Sequence, residues 1–342
     1  MTKIALIGFG VVGQAFAETI RDKKAMLKEK YGLKAEIVAI AGRSKGSIYD
    51  PEGLDLELLL RTFGETGTLE SYPRGKKGLT SLETITETGA DLIVEVTITN
   101  VETGEPALSH VKAALSNGKH VVTSNKGPAA LAYKELKALA DQHHVQYRIE
   151  STVLSGTPAI NFASENLAGH KLYGVKGIIN GTTNYILTKM EQGEKYEDVL
   201  KEAQELGYAE ADPTADVEGW DAVAKIMILG NALLGGELKV EEVERKGITC
   251  ITPEDIMAAK SKGERIKLIA EAYVEEGIVK AKVSPERVHL SDPLAGVSGT
   301  LNALTVMTDG LLEVTVIGGG AGGVGTAHGL LSDILAIHRT KS

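Results

Sequence analysis

The chain has 342 residues, 43% of them hydrophobic and 24% charged, enough for two domains with a substantial core. Its net charge of −9 argues against nucleic acid or an anionic membrane as the main partner, since both need a basic surface. The single Cys250 excludes an intrachain disulfide framework and a cysteine metal site.

The chain opens directly into an apolar strand pattern over residues 3–7. That leaves no room for a signal peptide, and no apolar run approaches the roughly 18 residues of a membrane span. The expected location is the cytoplasm. The strand runs into Gly8-Phe9-Gly10-Val11-Val12-Gly13, which matches G-x-G-x-x-G. A helix is predicted from there to about residue 30, and a second strand over 36–41. Strand, glycine turn, helix and strand in this order are the context the dinucleotide fingerprint requires. The glycines permit a tight turn, a close approach of backbone to pyrophosphate, and tight packing of helix on strand. The helix N-terminus then faces the phosphates. An ordinary tight turn is the bland alternative.

After the second strand, an NAD site usually carries an acid for the ribose 2′-hydroxyl. Here the residues are Gly42, Arg43, Ser44 and Lys45. The planar fork of Arg43 suits a 2′-phosphate. NADP(H) is therefore expected ahead of NAD(H), with a solvated basic loop as the alternative.

Helical patterns follow near 54–63 and 81–88, then an apolar strand over 91–96, a loop over 97–105 and a helix to 117. A strand over 119–123 leads through Ser124-Asn125-Lys126-Gly127-Pro128 into a helix ending near 143. A last strand is predicted over 146–153. This alternation indicates an α/β fold with a doubly wound parallel sheet, its ligands outside the carboxyl ends of the strands. Thr97 and Lys126 lie at such ends, as candidates for the nicotinamide and substrate side; either loop could equally be a polar connector.

The pattern changes after about 153. Thr157-Pro158 opens a helix, and residues 173–180 read as a strand. Helices follow over 184–191, 196–206 and 220–234, then strands over 266–274, 278–283, 301–307 and 311–317. Asp309-Gly310 between the last two is a hairpin turn signal. This half is α+β with antiparallel pairing. The expected division is a nucleotide-binding domain at 1–150, a second domain at 151–317, and a C-terminal helix at 318–342 that returns to the first domain. Gly318–Gly323 also satisfies G-x-G-x-x-G, but no strand follows, so no βαβ unit forms. It reads as a close backbone approach to the cofactor crevice, with Gly320 at its centre.

The stretch from Gly207 to Leu229 is rich in carboxylates before it turns into the helix 220–234: Glu210, Asp212, Asp216, Glu218 and Asp221. Between Ala222 and Gly230 the only polar side chain is Lys225. A helix apolar on nearly every face is buried, and a buried lysine is costly unless it is paired or loses its proton. Asp221 stands one turn earlier, on the same helix face. An ordinary helix salt bridge is the bland reading; such pairs sit on solvated faces, and this one is surrounded by apolar residues. Perturbed ionisable groups cluster at active sites.

With these pieces in place the chain resembles homoserine dehydrogenase over nearly its whole length. The resemblance rests on GIINGTTNYIL at 177–187 and GYAEADPTADVEGWDAVAK at 207–225, and on GFGVVG, TNVETGEPAL, SNKGPAA, ESTVLSGTPAI and VIGGGAGGVGTAHG in the same order. It implies an NAD(P)-dependent oxidoreductase that interconverts L-homoserine and L-aspartate 4-semialdehyde, in threonine, methionine and isoleucine biosynthesis. It points to Lys225 as the residue handling the hydroxyl proton and to Lys126 as a second catalytic or positioning lysine. Glu210 would bind the substrate ammonium. Asp216 and Asp221 would hold the substrate and orient Lys225, and Gly181 and Thr182 would contact the substrate. A monovalent cation, Na+ or K+, is implied at Glu150 and the carbonyls of Val153, Ser155 and Thr157. A homodimer paired through the second domain's sheet is also implied. Gly319 stands where the family commonly has proline. The chain stops at Ser342, which leaves no residues for a regulatory domain, so only weak, competitive inhibition by threonine is expected.

Two other readings stay open. Another Rossmann reductase could share the first half and a catalytic lysine, and a non-catalytic NADP sensor could share the fingerprint alone. A sensor would have no need for Lys225 beside Asp221.

Overall fold

A computed structural model describes residues 1–340. They form two compact units, Met1–Gly156 with the segment from Gly322 onward, and Thr157–Ala321. No helix among the described residues is long and apolar enough to cross a membrane.

The first unit is built on a seven-stranded sheet. Its strands are β1 (Thr2–Ile7), β2 (Ala35–Gly42), β3 (Gly46–Tyr49), β4 (Lys76–Lys77), β5 (Leu92–Glu95), β6 (His120–Thr123) and β7 (Tyr147–Arg148), in the order β4-β3-β2-β1-β5-β6-β7. The central strand β1 pairs in parallel with β2 and β5, and β6 and β7 extend the parallel set. Both faces of β1 are covered, which explains its unbroken apolar run. The helix Val11–Tyr31 packs under the sheet, and the helix Gly323–Arg339 packs beside it through Ala327, Leu330, Leu331, Ile334 and Ile337.

The chain departs from the expected elements in several places. The strand expected over 146–153 pairs only at Tyr147 and Arg148, and a 3-10 turn follows at Glu150–Thr152. There the backbone turns to the C-terminal helix: Glu150 N–H donates to Asp333 at 2.9 Å, and Ser151 Oγ to the Thr326 carbonyl at 2.9 Å. The first unit therefore runs on to Gly156. The antiparallel additions β3 and β4 were not expected. Residues 341 and 342 of the expected C-terminal segment lie outside the described residues.

The second unit holds a six-stranded sheet: β8 (Leu172–Ile178), β9 (Glu244–Arg245), β10 (Glu264–Glu275), β11 (Ile278–His289), β12 (Leu301–Thr308) and β13 (Leu312–Gly319), in the order β13-β12-β8-β10-β11-β9. All its pairs are antiparallel except β9 with β11. The helix Trp220–Leu234 lies against β10 and β11, where Gly230 lets it approach Ala272 and Val279. Strand β11 runs past Pro285, beyond its expected end at 283. Its outer neighbour β9 reaches only Lys282 and Val283, so the missing N–H of Pro285 costs no ladder bond on that side.

The β12–β13 hairpin forms, but not with a two-residue Asp-Gly turn. Thr308 pairs with Leu312, which leaves a three-residue loop with Leu312 in the left-handed region at φ 61°. Asp309 is tied to the chain before β8, accepting from Lys171 N–H at 3.2 Å and donating its own N–H to the Lys171 carbonyl. That anchor fixes the loop.

Candidate active site

In the first unit, the fingerprint loop joins β1 to the helix Val11–Tyr31. Gly8 has φ 106°, and a Cβ there would meet the Val96 carbonyl oxygen at 2.5 Å. A Cβ on Gly13 would meet the Gly8 carbonyl oxygen at 2.3 Å. Both glycines are therefore required by the protein's own packing. Gly10 is different. Its φ is −83°, and nothing lies within 4 Å of a Cβ built on it. The space above Gly10 is open. The helix beginning at Val11 has no side-chain cap and no acid in its first turn, so its orphan N–H groups and positive end suit an anion.

A groove of about 900 Å³ opens here, lined by Gly8, Phe9, Gly10, Val11 and Val12, by the turn at Arg43, and by Thr97. The ring of Phe9 is buried against Phe63, so its place in the loop is held by packing. Gly13 sits behind the loop. Arg43 is exposed at the tip of the β2–β3 hairpin, where Gly42 pairs with Gly46. It makes no hydrogen bond or ion pair among the described residues. The same groove also holds an acid that was not anticipated. Glu70 accepts from Ser47 N–H at 3.3 Å, and its carboxylate lies against Gly46. It comes from the 3-10 turn Leu69–Ser71, far along the sequence from the end of β2. These features fit a dinucleotide.

Thr97 follows β5 and is fixed by the fully buried Glu95, which accepts from both its N–H and its hydroxyl. Asn125 Nδ2 donates to the carbonyls of Thr97 and Ile98 at 3.2 Å, tying the loop after β5 to the loop after β6. Asn125 also caps the helix Lys126–Leu131, so Lys126 stands half-buried at its first position. Glu150, Val153 and Ser155 are buried near the end of this unit. Ser155 has φ 57° and is pinned by Thr326 Oγ1 at 3.0 Å.

In the second unit, the acidic turn and its helix close into a compact polar cluster. Gly219 adopts φ 85°, which bends the chain into the helix Trp220–Leu234. Lys225 is 8% exposed. Its Nζ donates to Asp221 Oδ2 at 2.8 Å and to the Ile179 carbonyl at 2.8 Å. The neighbouring Asn180 was not anticipated. Its Nδ2 donates to Asp216 Oδ1 at 2.6 Å and to Asp221 Oδ2 at 3.0 Å. Burial pushes the Asp216 carboxyl above the usual range; the amide of Asn180 pulls it back, and Asp221 pushes it further up. Asn180 also caps the helix Gly181–Met190 by accepting from Thr183 N–H at 2.9 Å. Gly181 thus begins that helix, and Thr182 Oγ1 donates to the Tyr208 carbonyl at 2.6 Å.

The remaining expected site residues do not join this network. Glu210 is exposed, and its carboxylate makes no hydrogen bond or ion pair among the described residues. Thr157 Oγ1 donates to the Gly319 carbonyl at 2.7 Å. A Cβ on Gly320 would meet Asn302 Oδ1 at 2.0 Å, so packing on that buried amide already explains this glycine. The signal for Asn180 was present in the sequence: a polar cap residue between an apolar strand and a helix.

Comparison with known proteins bears on both units. Residues 8–150 match the family model described as homoserine dehydrogenase, NAD binding domain, and residues 158–335 match that of homoserine dehydrogenase. A homoserine dehydrogenase of Methanocaldococcus jannaschii is 45% identical over 338 residues, 98% of each chain. An NAD(+)-dependent homoserine dehydrogenase of Pseudomonas canavaninivorans is 43% identical, covering 99% of this chain and 97% of its own. Among solved structures, a hyperthermophilic archaeal homoserine dehydrogenase mutant in complex with NADPH superposes with a TM-score of 0.85 at 34% identity, covering 99% of this chain and 98% of that one. With both units matched and relatives aligned almost end to end, the chain belongs to the homoserine dehydrogenase family.

Proposed function

We propose that this chain interconverts L-homoserine and L-aspartate 4-semialdehyde, with Lys225 handling the proton on the C4 oxygen. The observation that carries the reading is the near-buried ammonium of Lys225 held at 2.8 Å by Asp221 inside a carboxylate-rich cluster. A nicotinamide cofactor supplies or accepts the hydride. Lys225 donates a proton to the oxygen as the aldehyde is reduced and takes it back in the reverse direction. Asp221 orients that amine and balances its charge. Glu210 binds the substrate ammonium, Asp216 helps to hold the substrate, Gly181 and Thr182 contact it, and Lys126 positions its carboxylate.

NADP(H) is preferred, with NAD(H) also used. The unpartnered guanidinium of Arg43 on the groove supports the first half of that statement, and Glu70 in the same groove supports the second. A monovalent cation, Na+ or K+, binds Glu150 and the carbonyls of Val153, Ser155 and Thr157. The left-handed backbone at Ser155 supports this, since strain of that kind collects at ligand clamps. The chain pairs as a homodimer through its second sheet. In support, edge strand β13 leaves Leu312 and Ile317 79% and 49% exposed.

The test is NADPH oxidation on adding aspartate semialdehyde, with Na+ or K+ present. Silence with both cofactors and both cations would favour the sensor. Arg43→Ala should weaken NADP(H) by about tenfold or more, as loss of a charge-assisted phosphate contact does, and NAD(H) far less. Equal losses would mean that Arg43 does not meet the 2′-phosphate.

A further inference from the structure

Ile179 and Asn180 follow β8 and dock on the helix Trp220–Leu234 at two points. The Ile179 carbonyl accepts from Lys225 Nζ, and the Asn180 amide donates to Asp221, the residue that also holds Lys225. The orientation of that amide is determined by its other end. Asn180 Oδ1 accepts from the main-chain N–H of Thr183 at 2.9 Å, and a backbone N–H can only donate. Nδ2 therefore faces the acids, and each of its two hydrogens has its own carboxylate, Asp216 at 2.6 Å and Asp221 at 3.0 Å.

We propose that Asn180 is a positioning residue of the reaction: its amide bridges Asp216 and Asp221 and thereby fixes the carboxylate that aims Lys225. The inference rests on the function proposed above. Two carboxylates this close repel each other, and burial sharpens the repulsion. A cation at residue 180 would neutralise them but would compete with Lys225 for Asp221 and with the substrate for Asp216. A neutral group with two hydrogens offsets the repulsion without competing. The bridge is thus one of the contacts that hold the Asp221 carboxylate where it meets Lys225.

The cap and the bridge use opposite ends of the same amide, so they can be separated. Asn180→Asp keeps the cap acceptor and the side-chain shape, removes both bridging hydrogens and adds a third carboxylate. Asn180→Ser keeps a cap acceptor with too short a reach for the bridge. NADPH binding and the melting temperature report folding. Turnover of aspartate semialdehyde is measured from acid to alkaline pH.

Both variants should bind NADPH as the parent does and lose on the order of 10²-fold in kcat, the scale of a displaced catalytic group. Asn180→Asp should recover relative to Asn180→Ser as the pH falls, because a protonated carboxyl again has a hydrogen to donate. Parent-like kcat in either folded variant overturns the proposal. So does an equal, pH-independent loss in both, because a protonated carboxyl at this position would then have failed to restore the bridge, and so does collapse of the cooperative melt in both, which would make Asn180 a residue of folding. If the parent itself is inactive, the functional reading fails; if Lys225→Ala is inactive while the Asn180 variants are normal, only this inference does.

Discussion

Lys225 and Lys267 are both buried lysines of the second unit, and the contrast between them shows what makes such a residue useful. Lys225 is 8% exposed and Lys267 is 0% exposed, so burial alone would favour Lys267. The partners differ. Lys225 has a carboxylate at 2.8 Å, a carbonyl at 2.8 Å and further acids around it. Lys267, on β10, donates to Asn184 Oδ1 at 3.1 Å and the Val297 carbonyl at 2.8 Å; its nearest carboxylate, Glu191, lies at 4.0 Å. Burial lowers the Lys267 amine to about 8, against a partial pull upward from Glu191. The more deeply buried lysine thus ties together the helix Gly181–Met190, through Asn184, and the chain at Val297. The less buried one meets the acidic cluster. Depth of burial marks a lysine as unusual, and its partners distinguish a lysine tied to neutral oxygens from the one proposed to handle a proton.

The largest expected effect comes from removing the lysine on the acidic side. Lys225→Ala should lower kcat by about 10²–10⁴-fold, the range of a lost proton-transfer group. The glycine fingerprint lies in the other unit, so NADPH affinity should be unchanged. Near-normal kcat would end the assignment. Asp221→Asn is the sharper version. It leaves Lys225 with neutral oxygen partners, the situation of Lys267. A kcat loss of about 10–100-fold is expected, in line with removing a group that orients a catalytic residue. If Asp221→Asn turned over normally, the partner would not matter and the contrast would lose its point.

The sequence reveals one lysine of this pair and hides the other. Lys225 is visible because it is a single polar residue in an apolar helix, with Asp221 at the right spacing. Lys267 stands in ERIKLIAEAYVE, where period-2 alternation allows a lysine on a solvated face. Lys267 is buried because segments distant in sequence meet it there, the helix Gly181–Met190 through Asn184 and the chain at Val297. The cofactor groove divides the same way. Gly8, Gly10 and Arg43 are local in sequence and were legible there. Glu70 reaches the groove only because β3 folds back on β2, which no local pattern announces. The shortened β7 has the same cause. Residues 146–153 have strand composition, but Asp333 and Thr326 on a distant helix capture the backbone and side chain after Arg148.

The last effect in this set is on stability, and it tests the structural side of the contrast. The folded chain holds the Lys267 amine at about 8 against an ordinary value of 10.5. Below pH 8 both folded and unfolded chains carry the proton, and the cost of burying the charge is fully present. Between about 8 and 10.5 the unfolded chain binds more protons than the folded one, so stability rises with pH across that window. The whole rise is on the order of 3 kcal/mol, from about 1.4 kcal/mol per pH unit. Lys267→Met removes the titrating group. It also strips a donor from Asn184 and Val297, at about 1–3 kcal/mol for each acceptor left bare, and this loss does not depend on pH. The parent should therefore gain stability relative to Lys267→Met as the pH rises from 8 toward 10. Denaturant melts at several pH values read this difference directly, since other alkaline titrations are shared by both proteins. Parallel stability curves would mean that Lys267 keeps its proton in the fold, and that the two lysines differ less than their surroundings suggest.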